Sequence, residues 1–187
     1  ALDIDQRAFV VFVLSELGDL PASRVVSVFD RRADLGIDSL AFLALAMRNT
    51  SPDESARVAG LLAEIGGAAD ASASGTHWSD PHRAWWAMGS DTRSTAVAVF
   101  ALARLDPDNP NLAPAVRWLM NQRALSRWET TYDTAWSVLA LSEQMRATGE
   151  LAADFSYHVE LNGAEMLKGR FDRSTMATPV AAEAPAS

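Results

Sequence analysis

Cysteine is absent from the 187 residues of this chain. That removes disulfides, thiolate metal sites and cysteine nucleophiles at one stroke. An excess of positive charge is missing too: 16 Lys and Arg stand against 24 Asp and Glu, for a net charge of −8. Nucleic-acid phosphates need a basic face, so that class of partner is excluded. No apolar run approaches the roughly 20 residues that cross a bilayer, and no secretory leader is visible. The first residue is not Met, and the chain is expected to be a piece of a longer protein. What is present is apolar material, 49% of the residues, ample for the core of one medium domain or of one domain with part of another.

That apolar material is repetitive. Thr95-Ala96-Val97-Ala98-Val99-Phe100-Ala101-Leu102 aligns with Thr134-Ala135-Trp136-Ser137-Val138-Leu139-Ala140-Leu141 at an offset of 39 residues. Ser39 to Leu45 and Ala8 to Leu14 fit the same frame at offsets of 96 and 127. Each copy is apolar or small on nearly every side, as a helix buried on most sides requires. Four copies of one inner helix, with other helices between them, signal stacked helix pairs.

Taken in order, Asp5 to Leu17 reads as the first inner helix, closed by Gly18 as a C-terminal cap. An outer helix starts at Pro21 with Val25, Val28 and Phe29 on one face, and Gly36 breaks it before the second inner helix, Ile37 to Met47. Ser51-Pro52-Asp53-Glu54 is a helix-start signal. Val58, Leu61, Leu62 and Ile65 then form one amphipathic stripe that ends at Gly66-Gly67. Residues 67–75 are small and polar and read as a loop. His77 to Gly89 is aromatic-rich and is expected to be a short hairpin or ordered loop over a helix end. Thr92 to Leu105 is the third inner helix and Leu112 to Arg123 the next outer one. The fourth inner helix, capped by Asp133 or Thr131, runs to about Gly149.

Beyond it the period changes from 3.6 to 2. Phe155, Tyr157, Val159 and Leu161 alternate with polar residues, Asn162-Gly163 is a strong hairpin-turn signal, and residues 164–171 return. Residues 174–187 read as a strand remnant or loose tail. Two strands cannot bury a face alone, so the rest of that sheet is expected elsewhere. The fold class is therefore mainly α: a partial α/α toroid of alternating inner and outer helices over residues 1–152, followed by a short antiparallel β-hairpin over 153–187.

Several groups of residues have chemical potential. His77, Asp80 and His82 are all ligand types, yet their spacing matches no standard metal pattern, and a polar loop pinned by Trp78 is preferred. Asp5, Asp38, Asp91 and Asp133 lie near the starts of inner helices and would converge at one end of a toroid, where toroid glycosidases keep an acid–base pair. Each also sits where a helix needs a cap, which is the preferred role. Asp3, Asp5 and the Asp30–Asp38 stretch only loosely suggest the acidic motifs of terpene cyclases. Trp85, Trp86, Trp118, Trp128 and Trp136 read as packing residues. No catalytic, cofactor-binding or metal site is expected.

Gly75-Thr76-His77-Trp78, Ser90 to Ala96, Leu105 to Asp108, Ala115 to Arg123 and Trp128 to Trp136, in that order and spacing, resemble the thioester domain of bacterial α2-macroglobulins. The segment from Phe155 through Asn162-Gly163 is similar to the return into the β-sandwich that hosts that domain. The resemblance implies an α/α toroid in a large extracytoplasmic protease-trapping protein, periplasmic or on the cell surface. There, cleavage of a bait region triggers a shape change and a Cys-x-Glu-Gln thioester acylates the protease. Lacking Cys, this chain cannot form that bond; Ser142-Glu143-Gln144 mimics only the tail of the motif and is read as chance. The implied role is that of a non-catalytic C-terminal part of the thioester domain, of a broad endopeptidase inhibitor, with no cofactor. Its partners would be other domains of the parent and, through the parent, target proteases. The alternative is part of a toroid hydrolase or cyclase that uses the inner-helix carboxylates as acid and base.

Overall fold

The computed structural model describes residues 2–18, 20–79, 89–152, 154–175 and 178–181. It is mainly helical and closes with a short antiparallel hairpin. Among the described residues there are seven α-helices: α1 (Ile4–Glu16), α2 (Ala22–Phe29), α3 (Ile37–Thr50), α4 (Ser55–Gly67), α5 (Asp91–Leu105), α6 (Leu112–Asn121) and α7 (Thr131–Ala147). Four strands pair as two separate hairpins, β1 (Asp70–Ser72) with β2 (Gly75–His77), and β3 (Phe155–Leu161) with β4 (Ala164–Phe171). The chain divides into two compact units, Ala1–Gln144 and Met145–Ser187, where the sequence pattern places the change at 152/153.

Local chemistry sets the helix ends. Asp3 and Gln6 form a reciprocal capping box at the start of α1, with bonds of 2.8 and 3.1 Å, satisfying two otherwise orphaned donors. Gly18, at φ +73°, ends it. At the Ser51–Glu54 signal, α3 continues to Thr50 and α4 starts only at Ser55, so these four residues are a turn between the helices. Pro52 lacks the amide hydrogen that would carry α3 onward.

The core follows the repeat. Every residue from Ile37 to Met47 in α3 and from Ser94 to Ala103 in α5 is buried. Alanines alternating with larger side chains there let neighbours approach closely. An aromatic chain runs through the middle: Phe12 stacks on Phe42 at 5.1 Å, Phe42 meets Trp136 at 5.3 Å, and Trp136 meets Phe100 edge-on at 5.8 Å. The outer copies depart from the expected all-round burial. Phe9 and Val13 on α1, and Val138 and Leu139 on α7, are 37–51% exposed. Apolar composition shows what a helix is able to bury, and only the presence of neighbours decides what it does bury.

The expected 67–75 loop is the β1–β2 hairpin instead. Gly75 accounts for the close fit of its second strand: its φ is +133°, and a Cβ there would meet the Pro114 carbonyl oxygen and lie 2.9 Å from Trp118 Cβ. Trp78 follows and is fully buried. Its indole N–H donates to the Ile65 carbonyl at 2.7 Å and its backbone N–H to Thr95 Oγ1 at 3.0 Å, which bolts β2 between α4 and α5. His77 stacks flat on Trp118 at 4.8 Å. Asp80, His82, Trp85 and Trp86 lie outside the described residues. Trp118, Trp128 and Trp136 are buried packing residues, and Trp128 fixes the end of α6 by donating its indole N–H to the Leu119 carbonyl at 2.8 Å. The tight turn Ala124–Arg127 between them carries Leu125 at φ +58° and 99% exposed.

In the second unit, the β3–β4 register pairs Phe155 with Phe171, Tyr157 with Gly169 and Val159 with Leu167 on one face. Asn162 and Gly163 take the positive φ values, +52° and +82°, that a two-residue hairpin turn demands. The Tyr157 ring covers Gly169, and Phe155 and Phe171 stack at 5.4 Å. Of residues 174–187, read as a strand remnant or loose tail, Ser174 and Thr175 complete a turn that starts at Asp172, and 178–181 lie in no strand.

Candidate functional site

The starts of α1, α3, α5 and α7 are joined by side chains. Asp5 of α1 accepts the backbone N–H of Gly36, the residue that caps α3, at 3.0 Å. Asp38 in the first turn of α3 pairs with Arg93 of α5 at 2.9 Å. The Arg93 guanidinium lies over the Tyr132 ring of α7 at 5.1 Å. Ser90, the N-cap of α5, accepts from the Arg93 N–H at 3.0 Å and donates to Asp133.

Asp133 is 1% exposed and serves two helices at once. Thr130 Oγ1 accepts the Asp133 N–H at 3.0 Å, while Asp133 Oδ2 accepts both the Thr130 N–H at 3.2 Å and its hydroxyl at 2.7 Å. This is a capping box whose hydroxyl residue is Thr130; the expected caps, Thr131 and Asp133, are the first and third residues of the helix. The other carboxylate oxygen takes the Ser90 hydroxyl, so both oxygens are engaged.

The opposite ends are joined as well. Asn49 at the end of α3 donates to Ser15 Oγ at 3.1 Å and Glu16 Oε1 at 2.8 Å. Arg104 near the end of α5 bridges Glu16 of α1 and Glu143 of α7, both at 3.1 Å, with its guanidinium 4.4 Å from the Phe100 centroid. Burial pushes the Arg104 pKa down, and its hydrogen bonds to Glu143 and Glu16 more than reverse that, so it ends above its ordinary value. With starts together and ends together, α1, α3, α5 and α7 run in one direction, and the segments containing α2, α4 and α6 bring the chain back.

The sequence points to Asp5, Asp38 and Asp133 at this end, and the structure puts all three into helix-to-helix bonding. Asp91 is half-buried in the first turn of α5. The residues to which the sequence assigns no part in joining helices are Ser90, Arg93, Thr130, Asn49, Glu16, Arg104 and Glu143. A signal for part of them exists: the offsets of 127 and 39 residues put Glu16, Arg104 and Glu143 at one repeat position, and Asp5, Arg93 and Tyr132 at another. Glu143, read as part of a chance motif mimic, is one arm of the Arg104 bridge. Among the described residues no group of three His, Asp or Glu side chains is arranged to hold a metal ion, and no helix is long and apolar enough to cross a membrane.

No family model, curated protein or solved structure matches the chain.

Proposed function

We propose that the chain is a non-catalytic segment of a larger protein, an arc of an α/α toroid that carries load between neighbours. The particular reading that fits best is the C-terminal part of the thioester-containing domain of a bacterial α2-macroglobulin, an extracytoplasmic endopeptidase trap. The β3–β4 hairpin would begin the adjoining β-sandwich. One observation carries the reading: four parallel helices are stitched to one another at both ends. That is the arrangement an inner ring of a toroid needs, with α2, α4 and α6 as returning outer helices. The apolar stripes left open on α1 and α7 support an arc with neighbours still to come on both sides. The hairpin supports the second half of the reading, because Phe155, Val159 and Leu161 are all about half exposed on its apolar face and two strands alone do not supply a second layer.

The enzyme alternative draws less support. An acid–base pair needs a carboxyl group facing substrate, whereas Asp133 is buried with both oxygens bonded, and Asp38 is ion-paired with Arg93.

The test uses the full-length parent. Challenged with an endopeptidase, it should leave the enzyme active on small peptides and blocked from large protein substrates. Removing residues 1–187 should abolish that protection. Undiminished trapping by the truncated parent would reject the reading. Turnover of a glycan or isoprenoid by the wild type, lost in Asp133→Asn while the fold persists, would establish the alternative.

A further inference from the structure

Between α1 and α2 lies a slot of about 430 Å³, at the lower end of the roughly 300–1,000 Å³ of small-molecule sites. Its floor is apolar and buried, formed by Val11 and Val28, and its walls include Val10 and Leu14, each more than a third exposed. Its charged lining is of one sign. Arg7 and Arg24 border it, Ser27 is the remaining polar side chain, and no carboxylate among the described residues lines it. In a chain of net charge −8 this is a local reversal. Neither arginine has an ion-pair partner among the described residues, and the Ser27 hydroxyl is already bonded to the Arg24 carbonyl at 2.9 Å.

Apolar floor, guanidinium rim and half-open volume together define the chemistry of an occupant. We propose that this slot binds a single-chain anionic amphiphile, its alkyl tail on Val10, Val11, Leu14 and Val28 and its carboxylate facing Arg7 and Arg24. Guanidinium suits the head group because it donates paired, planar hydrogen bonds to oxyanions. A free monomer is favoured over an anionic bilayer: a large negative surface would repel the remaining acidic chain, whereas one monomer meets only the two arginines. The proposal does not rest on the protease-trap reading, under which a neighbouring helix of the parent would compete for Val10 and Leu14.

The 187-residue chain is titrated by calorimetry with dodecanoate below its micellar concentration. Parallel arms use octanoate, dodecyl maltoside, inorganic phosphate and phosphatidylglycerol vesicles. Saturable 1:1 binding of dodecanoate is expected. It should weaken by as much as fourfold for each methylene removed, with neither maltoside nor phosphate competing. Arg7→Gln and Arg24→Gln should each weaken it two- to fivefold, and Leu14→Asp should abolish it while the circular dichroism spectrum is unchanged. Equal binding of the neutral detergent, or unaltered affinity in both arginine variants, would reduce the slot to a greasy surface and overturn the proposal. So would binding to vesicles alone, self-association of the chain that Leu14→Asp abolishes, or loss of dodecanoate binding in a longer natural chain whose own residues fill the slot.

Discussion

Asp133 offers the sharpest test of how the inner helices are held. Its carboxylate takes a backbone N–H and a hydroxyl from Thr130 and a second hydroxyl from Ser90, at a site 1% exposed. Asp133→Ala removes all three acceptor contacts. A lost capping interaction costs about 1 kcal/mol, and donors left buried beside an empty acceptor site cost about 1–3 kcal/mol more. A total of about 3 kcal/mol is expected. Asp133→Asn keeps the shape and one acceptor oxygen, and Ser90 Oγ can turn to accept from the new amide, so about 1 kcal/mol is expected. For a chain of this length these correspond to falls in Tm of roughly 9 and 3 °C. Urea unfolding followed by circular dichroism measures both, with the slope unchanged if only stability moves. The Ser90→Ala variant should couple to Asp133→Asn by about 1 kcal/mol in a double-mutant cycle. An alanine variant within about 0.5 kcal/mol of the wild type would refute the idea that this carboxylate joins α5 to α7.

Four further outcomes are expected. Gly75→Ala should destabilise by at least about 2 kcal/mol in thermal unfolding, because it meets Pro114 and Trp118 and strains the backbone. Ser137→Ala should be neutral or stabilising by up to about 1 kcal/mol, since the buried Ser137 hydroxyl has no hydrogen-bond partner among the described residues; a clear loss in chemical denaturation would refute this. Leu125→Asn should stabilise by about 1 kcal/mol in the same assay, exchanging an exposed leucine in the left-handed region for a residue that tolerates it. The Asp172 carboxyl is held below its ordinary value, first by the Ser174 hydroxyl and then by the Ser174 amide. A depressed carboxyl lends stability above its unfolded pKa and loses it as pH falls through the folded one, so the Asp172–Thr175 turn should loosen only below the usual aspartate range. Carbonyl NMR titration should show that midpoint rising in Ser174→Ala, and an unmoved midpoint would refute the cause.

The helices and the closing hairpin were legible because their signals are local: the apolar runs of α3 and α5, Gly18, and Asn162-Gly163. The β1–β2 hairpin was not, because three-residue strands carry no periodicity and Gly75 reads as a loop residue until Pro114 and Trp118 are seen against it. Burial of α1 and α7 was overread for a related reason. Hydropathy is a property of one segment, while exposure of Phe9 or Val138 depends on segments elsewhere. Of the aspartates read as caps, only Asp133 belongs to a capping box; the N-caps of α1, α3 and α5 are Asp3, Gly36 and Ser90. The pairing of Asp38 with Arg93 and the three-way Arg104 bridge join residues 55 and 88 or 39 positions apart, and a single sequence does not show which of several charged side chains will meet.

The bridging residues at the two ends share a constant interval. Asp5 and Glu16, Arg93 and Arg104, and Tyr132 and Glu143 are each separated by 11 positions, which is close to three whole turns and about 16 Å of rise. Upper and lower fasteners thus sit on the same side of each rod, one directly above the other. Swapping alanine for valine midway along a rod leaves that alignment untouched, whereas inserting or deleting one residue swings one fastener by roughly 100° relative to the other. The scaffold is therefore unforgiving of any change in the length of these segments, over and above the close packing that its mid-helix alanines already demand.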